Sequence, residues 1–296
     1  MIEITKCIVC DSSERKTFLS CKDYTVSQET FNISECVNCG FKFTSPRPKD
    51  IDLGKYYKSE SYVSHSDSKK GIINTLYHYV RNYTLLKKLK LILKYSRPGN
   101  IIDYGCGTGA FLEICQKSSW KVFGIEPDSD ARKIANERIG INPFMDPEDF
   151  IKNNSGLKVD VITLWHVLEH IPDVVSFFKF IDTFLKEKGT LIIAVPNCNS
   201  YDAIKFNEYW AAYDLPRHLW HFTPKTISKL FQNNGYKCIE TLPMIFESFY
   251  VSMLSNKYKT GTPKIISSFL TGLISNFKAN KDGQRFSSQI YIFKRI

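Results

Sequence analysis

The C-terminal two-thirds of the chain alternates short apolar segments with longer amphipathic ones. The apolar runs predict strands over residues 100–103, 122–125, 160–164, 190–195, 237–242 and 289–293, with a further short strand near 144–146. Between them, apolar residues at helical spacing predict helices over residues 110–117, 129–138, 174–185 and 224–233. This alternation predicts an α/β fold with a doubly wound, mostly parallel sheet of seven strands.

Two further segments precede this region and complete a predicted division into three parts. Residues 1–45 form a cysteine-rich module whose apolar content is too low for a core of its own, so a metal ion has to hold it together. Residues 46–98 form a connector that contains a helix from Ile72 onwards. A lysine-rich stretch near the end of this helix is interpreted as a solvated face: Lys87, Lys88, Lys90 and Lys94. Residues 99–296 form the α/β domain.

Composition and charge limit the function classes only loosely. The chain of 296 residues is 43% hydrophobic and 24% charged, as in ordinary folded domains. Its formal charge of +10 favours acidic partners such as nucleotides, phosphorylated sugars, anionic lipids or nucleic acid. The longest apolar-rich segment, 265–277, is too short and too polar for a membrane span, and the N-terminus carries no secretory signal. We therefore expect a cytoplasmic protein with reduced cysteines.

Five of the nine cysteines lie in the first 45 residues, and four of them form two C-x-x-C pairs. Cys7 and Cys10 are separated by 25 residues from Cys36 and Cys39, and Gly40 follows the second pair. Each pair can form a tight turn with both sulfurs facing one ion, and two such turns complete a tetrahedron. The spacing predicts a small zinc ribbon with these four cysteines as ligands, and the long spacer leaves room for a hairpin. Cys21 lies in that spacer and is predicted to be a bystander.

A glycine-rich loop follows the first strand of the α/β region and opens a helix. Its glycines let the backbone turn sharply and approach a ligand: Gly105, Gly107 and Gly109. Glu126 ends the second strand, where a carboxylate can accept both ribose hydroxyls of an adenosine. This pattern alone also fits NAD. Asp103 argues against NAD, because it would repel a pyrophosphate but attract the sulfonium and ammonium groups of S-adenosylmethionine (SAM).

The D-x-G-x-G-x-G run at 103–109, the acid at 126 and the segment DVITLWHVLEH at 160–170 resemble class I SAM-dependent methyltransferases. More narrowly, they resemble the broad group of ubiquinone-pathway and sugar-cluster methyltransferases. The resemblance implies a Rossmann-like fold in which the three glycines line the methionine part of SAM and Glu126 binds the ribose. It also implies that Asp146 lies near the adenine and that His166 faces the methyl group. The four-cysteine module resembles those that precede the SAM domain in some deoxysugar C-methyltransferases.

Two histidines are the candidate general bases, since an imidazole titrates near neutral pH. His166 follows the fourth strand and His218 lies in the loop after the fifth, and such loops carry function in parallel sheets. His170 is predicted to be structural.

These residues lead to methyl transfer onto a small or medium-sized acceptor, namely a sugar, a nucleotide sugar or a cell-surface glycan precursor, on oxygen or on carbon. The alternative is an RNA methyltransferase or nucleic-acid-binding protein that uses the ribbon. It is disfavoured because the acids Asp23, Glu29 and Glu35 offset the basic residues there. The sequence does not determine the oligomeric state.

Overall fold

The computed structural model describes residues 1–57, 72–283 and 285–296, so part of the predicted connector, 58–71, lies outside the described residues. Contacts divide the chain into two compact units. The described part of the first unit is 1–57, 168–174 and 194–291 without 284, and that of the second is 72–167, 175–193 and 292–296. The units are defined by contacts alone, so the division of the chain at residues 45 and 98 stays a prediction.

The described strands are β1 (Arg15–Lys22), β2 (Thr30–Cys36), β3 (Lys42–Thr44), β4 (Asn100–Tyr104), β5 (Lys121–Ile125), β6 (Val159–Trp165), β7 (Leu185–Pro196), β8 (Trp220–His221), β9 (Tyr236–Pro243) and β10 (Ser288–Arg295). The described α-helices are α1 (Asp50–Leu53), α2 (Ile72–Tyr95), α3 (Ala110–Lys117), α4 (Ser129–Ile139), α5 (Pro147–Asn153), α6 (Val174–Phe184), α7 (Tyr201–Phe206), α8 (Pro224–Asn233), α9 (Glu247–Thr260) and α10 (Ile265–Asp282). No helix among the described residues is both long enough and apolar enough to cross a membrane.

The larger sheet has the strand order β5-β4-β6-β7-β10-β9, and β4 pairs in parallel with both β5 and β6. The α/β class and the mostly parallel sheet are therefore confirmed. The predicted number of seven strands is wrong for the described residues, because the sheet has six. The expected strand near 144–146 is a single parallel bridge between Phe144 and Ile125. It cannot extend, since Asp146 already caps α5 and Pro147 begins that helix.

The core of the second unit lies around its central parallel strands. Ile101 and Ile102 of β4 and Val161 and Ile162 of β6 are fully buried, as expected for strands covered on both faces. The Phe150 ring, on α5, lies 4.9 Å from the Phe184 ring in an edge-to-face contact. These contacts hold the carboxyl ends of β4, β5 and β6 in fixed positions.

The first unit contains a second sheet with the order β1-β2-β3-β8. β1 and β2 are antiparallel and form a hairpin in the long spacer between the two cysteine pairs. β3 pairs with β8 through Phe43 and Trp220. The Phe41 ring lies 5.5 Å from that of Phe222 and 6.2 Å from that of Trp220. The cysteine-rich segment therefore obtains its core by sharing one with residues about 180 positions further along the chain.

Arg217 lies at the centre of a network of ion pairs in the first unit, and only 1% of its side chain is exposed. Its guanidinium donates to both carboxylate oxygens of Asp214, at 2.9 and 2.7 Å, and to Asp23 at 2.9 Å. It also donates to the Tyr56 carbonyl at 2.8 Å. Burial would raise the pKa of Asp23, but the Arg217 guanidinium and the backbone amides of Ser27 and Thr25 together hold it below its ordinary value. The side chain thus joins the N-terminal hairpin to the loop before β8.

We expect Arg217→Ala to lower the free energy of unfolding by about 3–5 kcal/mol, because it leaves the buried Asp23 and the partly buried Asp214 without their cation. Chemical denaturation monitored by circular dichroism measures the change. The matched control is Lys55→Ala, which removes the exposed Lys55–Asp52 pair. This control should leave the free energy of unfolding nearly unchanged, because an exposed ion pair contributes little. Equal losses for the two variants would show that the buried pair has no special role.

Candidate functional site

The glycine loop joins β4 to α3 with all three of its glycines in the left-handed region. Gly105, Gly107 and Gly109 have φ values of 76°, 52° and 73°. A Cβ on Gly105 would lie 2.4 Å from a methyl group of Val167, so only glycine fits there. A Cβ on Gly107 would meet nothing within 4 Å. The loop is therefore packed against the protein at its start and open at its middle, where a ligand can approach the backbone.

Glu126, just past β5, already accepts hydrogen bonds from two backbone amides, one of them in this loop. Its two carboxylate oxygens accept from the Gly107 amide at 2.8 Å and from the Asp128 amide at 3.0 Å. Burial raises its pKa, and these two hydrogen bonds act in the opposite direction. A carboxylate has about four acceptor positions, so two remain for the paired hydroxyls of a ribose.

Asp103 lies at the end of β4 and is almost completely buried. The Thr163 hydroxyl donates to its Oδ1 at 2.6 Å. Burial raises the pKa of Asp103 to about 7, a shift opposed by the Thr163 hydrogen bond and the Lys88 charge. A buried acid beside an open glycine loop favours a cationic ligand, because a bound cation stabilises its charged form.

Thr163 and Lys88 are site residues that sequence reasoning missed. Thr163 lies on β6, where the register places it opposite Asp103, and only strand pairing reveals that position. The prediction of a solvated face holds for the exposed Lys87, Lys90 and Lys94 but not for Lys88. The Lys88 ammonium lies 4.2 Å from the centre of the Trp165 ring. The sequence carried one signal for this contact, namely the aromatic Trp165 directly after the fourth predicted strand.

Two further predicted residues, Asp146 and His166, lie in the same compact unit as this loop. Asp146 caps α5 by accepting from the Asp149 amide at 2.7 Å, so one of its oxygens has a structural role. Its part in adenine binding stays a prediction. His166 directly follows β6 with φ 59°, a left-handed conformation that is uncommon for a non-glycine residue. It precedes Val167, the residue in contact with Gly105.

His218 lies in the first unit, inside a buried cluster. Its Nδ1 donates to the Ala212 carbonyl at 2.9 Å, and its Nε2 is 4.0 Å from Asp214. The His170 ring lies 4.5 Å away, edge to face, and His170 Nδ1 is 2.9 Å from the Tyr57 hydroxyl. Burial, with the neighbouring His170, holds the pKa of His218 well below its ordinary value. At neutral pH this imidazole is therefore uncharged.

The four predicted cysteine ligands come together in the first unit: Cys7, Cys10, Cys36 and Cys39. The Sγ atoms of Cys7 and Cys39 are 3.5 Å apart, and those of Cys10 and Cys36 are 3.6 Å apart. Tetrahedral zinc with bonds of about 2.3 Å requires sulfur separations of about 3.8 Å. The donor set and its spacing therefore fit a soft divalent ion such as Zn²⁺. Cys21 lies outside the cluster, on β1, as predicted.

The sheet order, the glycine loop after β4 and the acid after β5 together define a class I SAM-dependent methyltransferase. Comparison with known families agrees. The profile of a family described as a methyltransferase domain matches residues 77–241, more than half of the chain. The chain belongs to this family.

Curated relatives include ubiquinone biosynthesis O-methyltransferases. That of Actinobacillus pleuropneumoniae serotype 7 is 35% identical over 106 residues, which cover 33% of this chain and 45% of the relative. That of Glaesserella parasuis serovar 5 is 26% identical over 172 residues, or 53% of this chain and 73% of the relative. The human mitochondrial enzyme is 25% identical over 164 residues, or 50% of this chain and 44% of the relative. The chain thus spans under half of the first and third of these relatives.

Solved structures show the same fold. Magnesium protoporphyrin IX methyltransferase from Synechocystis PCC 6803, solved with bound S-adenosylhomocysteine, superposes with a TM-score of 0.52 at 14% identity. The match covers 84% of this chain and 100% of that one. The O-methyltransferase segment of StiE superposes with a TM-score of 0.50 at 19% identity, covering 76% of this chain and 78% of that one. At these identities the likeness concerns the fold alone.

The position of Asp103 predicts a pH dependence of SAM binding. A cationic ligand lowers the pKa of this buried acid from about 7, so binding below pH 7 has to release its proton. We expect SAM affinity to fall between pH 8 and pH 6, by at most about tenfold per pH unit. Asp103→Asn should bind SAM more weakly, with most of this pH dependence lost, as measured by titration calorimetry.

The control for this experiment is Asp130→Asn, which changes an exposed acid in the first turn of α4. It should keep both the affinity and the pH dependence of the unsubstituted protein. An affinity that stays constant or rises toward pH 6 in the unsubstituted protein would contradict the role assigned to Asp103.

Proposed function

We propose that this protein transfers the methyl group of SAM to a hydroxyl of a small or medium-sized acceptor of the sugar or nucleotide-sugar type. The observation that carries the proposal is the glycine loop, open at Gly107 and bordered by the buried acids Asp103 and Glu126. When bound, SAM supplies a methyl group on a positively charged sulfur. An acceptor oxygen attacks the methyl carbon in line, and the sulfur is the leaving group. The two acids match the cationic and ribose parts of that cofactor.

Two observations support the acceptor class. The curated relatives are named O-methyltransferases, which favours oxygen over carbon as the methylated atom. The net charge of +10 favours an acceptor that carries phosphate, as nucleotide sugars and glycan precursors do. RNA carries phosphate as well, and is therefore included as a competing acceptor in the test.

The acceptor test measures transfer from SAM labelled on its methyl group. Purified protein is incubated with a panel of nucleotide sugars and, separately, with total RNA. We expect label in the nucleotide-sugar fraction and none in RNA, with the label stable to mild acid as an ether is. Label in RNA alone would replace this proposal with the nucleic-acid alternative. Label in neither fraction would rule out nucleotide sugars as the acceptor.

Of the two candidate bases, we propose that His166 removes the acceptor proton. It lies in the same compact unit as the glycine loop and directly precedes the residue that contacts Gly105. Its left-handed backbone fixes its position after β6, and such strain often occurs at functional sites. The low pKa of His218 makes that ring a weaker base.

We expect His166→Ala to lower kcat by about 10²–10⁴-fold, the usual contribution of a general base, while the Kd for SAM stays nearly unchanged. His166→Gln should behave similarly, because a neutral amide keeps hydrogen bonds but takes no proton. In both variants the loss of kcat/KM for the acceptor at acidic pH, measured at saturating SAM, should disappear. His218→Ala should mainly lower the free energy of unfolding. If His218→Ala alone abolishes the acidic limb, His218 is the base and this assignment is wrong.

We further propose that the four-cysteine cluster binds one Zn²⁺ with a structural role. The four sulfurs would fill every position of a tetrahedral ion and would leave no open position for a substrate. Phe41 and Phe43 follow the last ligand closely and pack in the core shared with Trp220. Loss of the ion should therefore weaken that core and not only the two cysteine turns.

Elemental analysis should find one zinc per chain after purification without chelator. Cys39→Ser should lose most of this zinc, and a strong chelator should lower the Tm of the unsubstituted protein. The matched control is Cys21→Ser, which changes a buried cysteine outside the cluster and should keep the full zinc content. Equal zinc contents in the two variants would exclude the cluster as the metal site.

A further inference from the structure

Helix α10 (Ile265–Asp282) has its apolar side chains outside and its polar ones inside. Every large apolar residue from Ile265 to Phe277 is at least 40% exposed, and Ile266 reaches 79%. By contrast, Ser268, Thr271 and Ser275 are buried. A surface helix of a protein surrounded by water has the opposite arrangement. An apolar face of this length on an ordered helix marks an interaction surface.

Hydrogen bonds on the buried side fix this orientation. The Ser275 hydroxyl donates to Asp202 at 2.7 Å, and Asn256 donates to the Ser268 hydroxyl at 2.8 Å. Lys205 donates to the Thr271 hydroxyl at 2.6 Å. Rotating the helix to hide its apolar face would break all three hydrogen bonds and leave Asp202 with one donor fewer.

The neighbouring helix α9 packs against α10 through small residues. Ser252 and Ser255 of α9 are fully buried. A Cβ on Gly272 would lie 2.6 Å from the Phe249 ring, so the two helices approach more closely than larger side chains allow. Small and polar residues between helices, with large apolar residues outside, are typical of helices in an apolar environment. The exposed apolar face continues at the start of α9 with Phe246 and Tyr250.

Most of the charged residues near this face are basic. No acidic residue occurs between positions 265 and 281, and Asp282 ends the helix, while Glu247 begins α9. Lys264 precedes the helix, while Lys278 and Lys281 lie one turn beyond Ile274 and Phe277 and are exposed. The Lys281 ammonium lies 4.8 Å from the centre of the Phe277 ring, so this lysine stem follows the apolar face. Two copies meeting through this face would bring like charges together, whereas an anionic surface would neutralise them.

We propose that the exposed face of α10 docks on an anionic lipid surface, with the helix lying in the plane of the interface. Apolar side chains would enter the boundary between headgroups and acyl chains, and the flanking lysines would contact lipid phosphates. The helix of 18 residues is about 27 Å long and does not span the bilayer. The test of this proposal does not depend on methyl transfer.

The experiment is co-sedimentation of the full chain with vesicles of equal parts phosphatidylglycerol and phosphatidylcholine, and with vesicles of phosphatidylcholine alone. We expect binding to the first that weakens as salt rises, and binding to the second that is at least about tenfold weaker. Ile266→Ser combined with Phe269→Ser should reduce binding to the anionic vesicles by at least about tenfold. Lys264→Glu combined with Lys281→Glu should reduce it similarly.

The matched control is Ile51→Ser, which removes another highly exposed apolar residue, on α1, and should bind as the unsubstituted protein does. Circular dichroism confirms that each variant is folded. Three results would overturn the proposal: no binding to anionic vesicles, equal binding by the Ile266/Phe269 variant, or equal binding to both vesicle types. A dimer in light scattering that the same double variant dissociates would also overturn it, because a second copy would then cover the face.

Discussion

The buried guanidinium of Arg217 is the interaction on which the first compact unit depends. It binds the fully buried Asp23 on the hairpin side and the partly buried Asp214 in the loop before β8. Neither the buried guanidinium nor the buried Asp23 is tolerable there alone, because an unpaired buried charge costs several kcal/mol. The ion pairs therefore require the N-terminal segment and the loop to be present at once. The same two parts of the chain also share the aromatic core around Phe41 and Trp220.

A similar constraint of charge operates in the second unit. Asp103 at the end of β4 and Glu126 just past the neighbouring parallel strand β5 are two buried acids. Burial raises the pKa of both, and the charge of Glu126 raises that of Asp103 further. The protein compensates with a threonine hydroxyl, two backbone amides and the Lys88 charge. Burial disfavours the charged form of both acids, and a bound cation and hydroxyl donors favour it. This difference supports the binding of a ligand with the charge pattern of SAM.

The helices α9 and α10 have an arrangement of apolar and polar side chains opposite to that of ordinary surface helices. Their contact surface consists of serines, Gly272 and hydrogen bonds to Asp202, while their large apolar residues face outward. The family match ends at residue 241, before either helix begins. The part of the chain that the methyltransferase family shares therefore ends before this apolar surface, which is consistent with a function separate from methyl transfer.

The sequence by itself determined the parts of this protein that depend on local patterns. Strand and helix periodicity located the α/β elements, the helix from Pro224 to Asn233 among them. Glycine positions and cysteine spacing identified the cofactor loop and the sulfur cluster. Only the tertiary structure decided the contacts between distant residues: Thr163 opposite Asp103, and Arg217 between its two acids. It also decided which face of α10 is buried, because periodicity shows that a helix has two faces but not which of them the surrounding residues will bury.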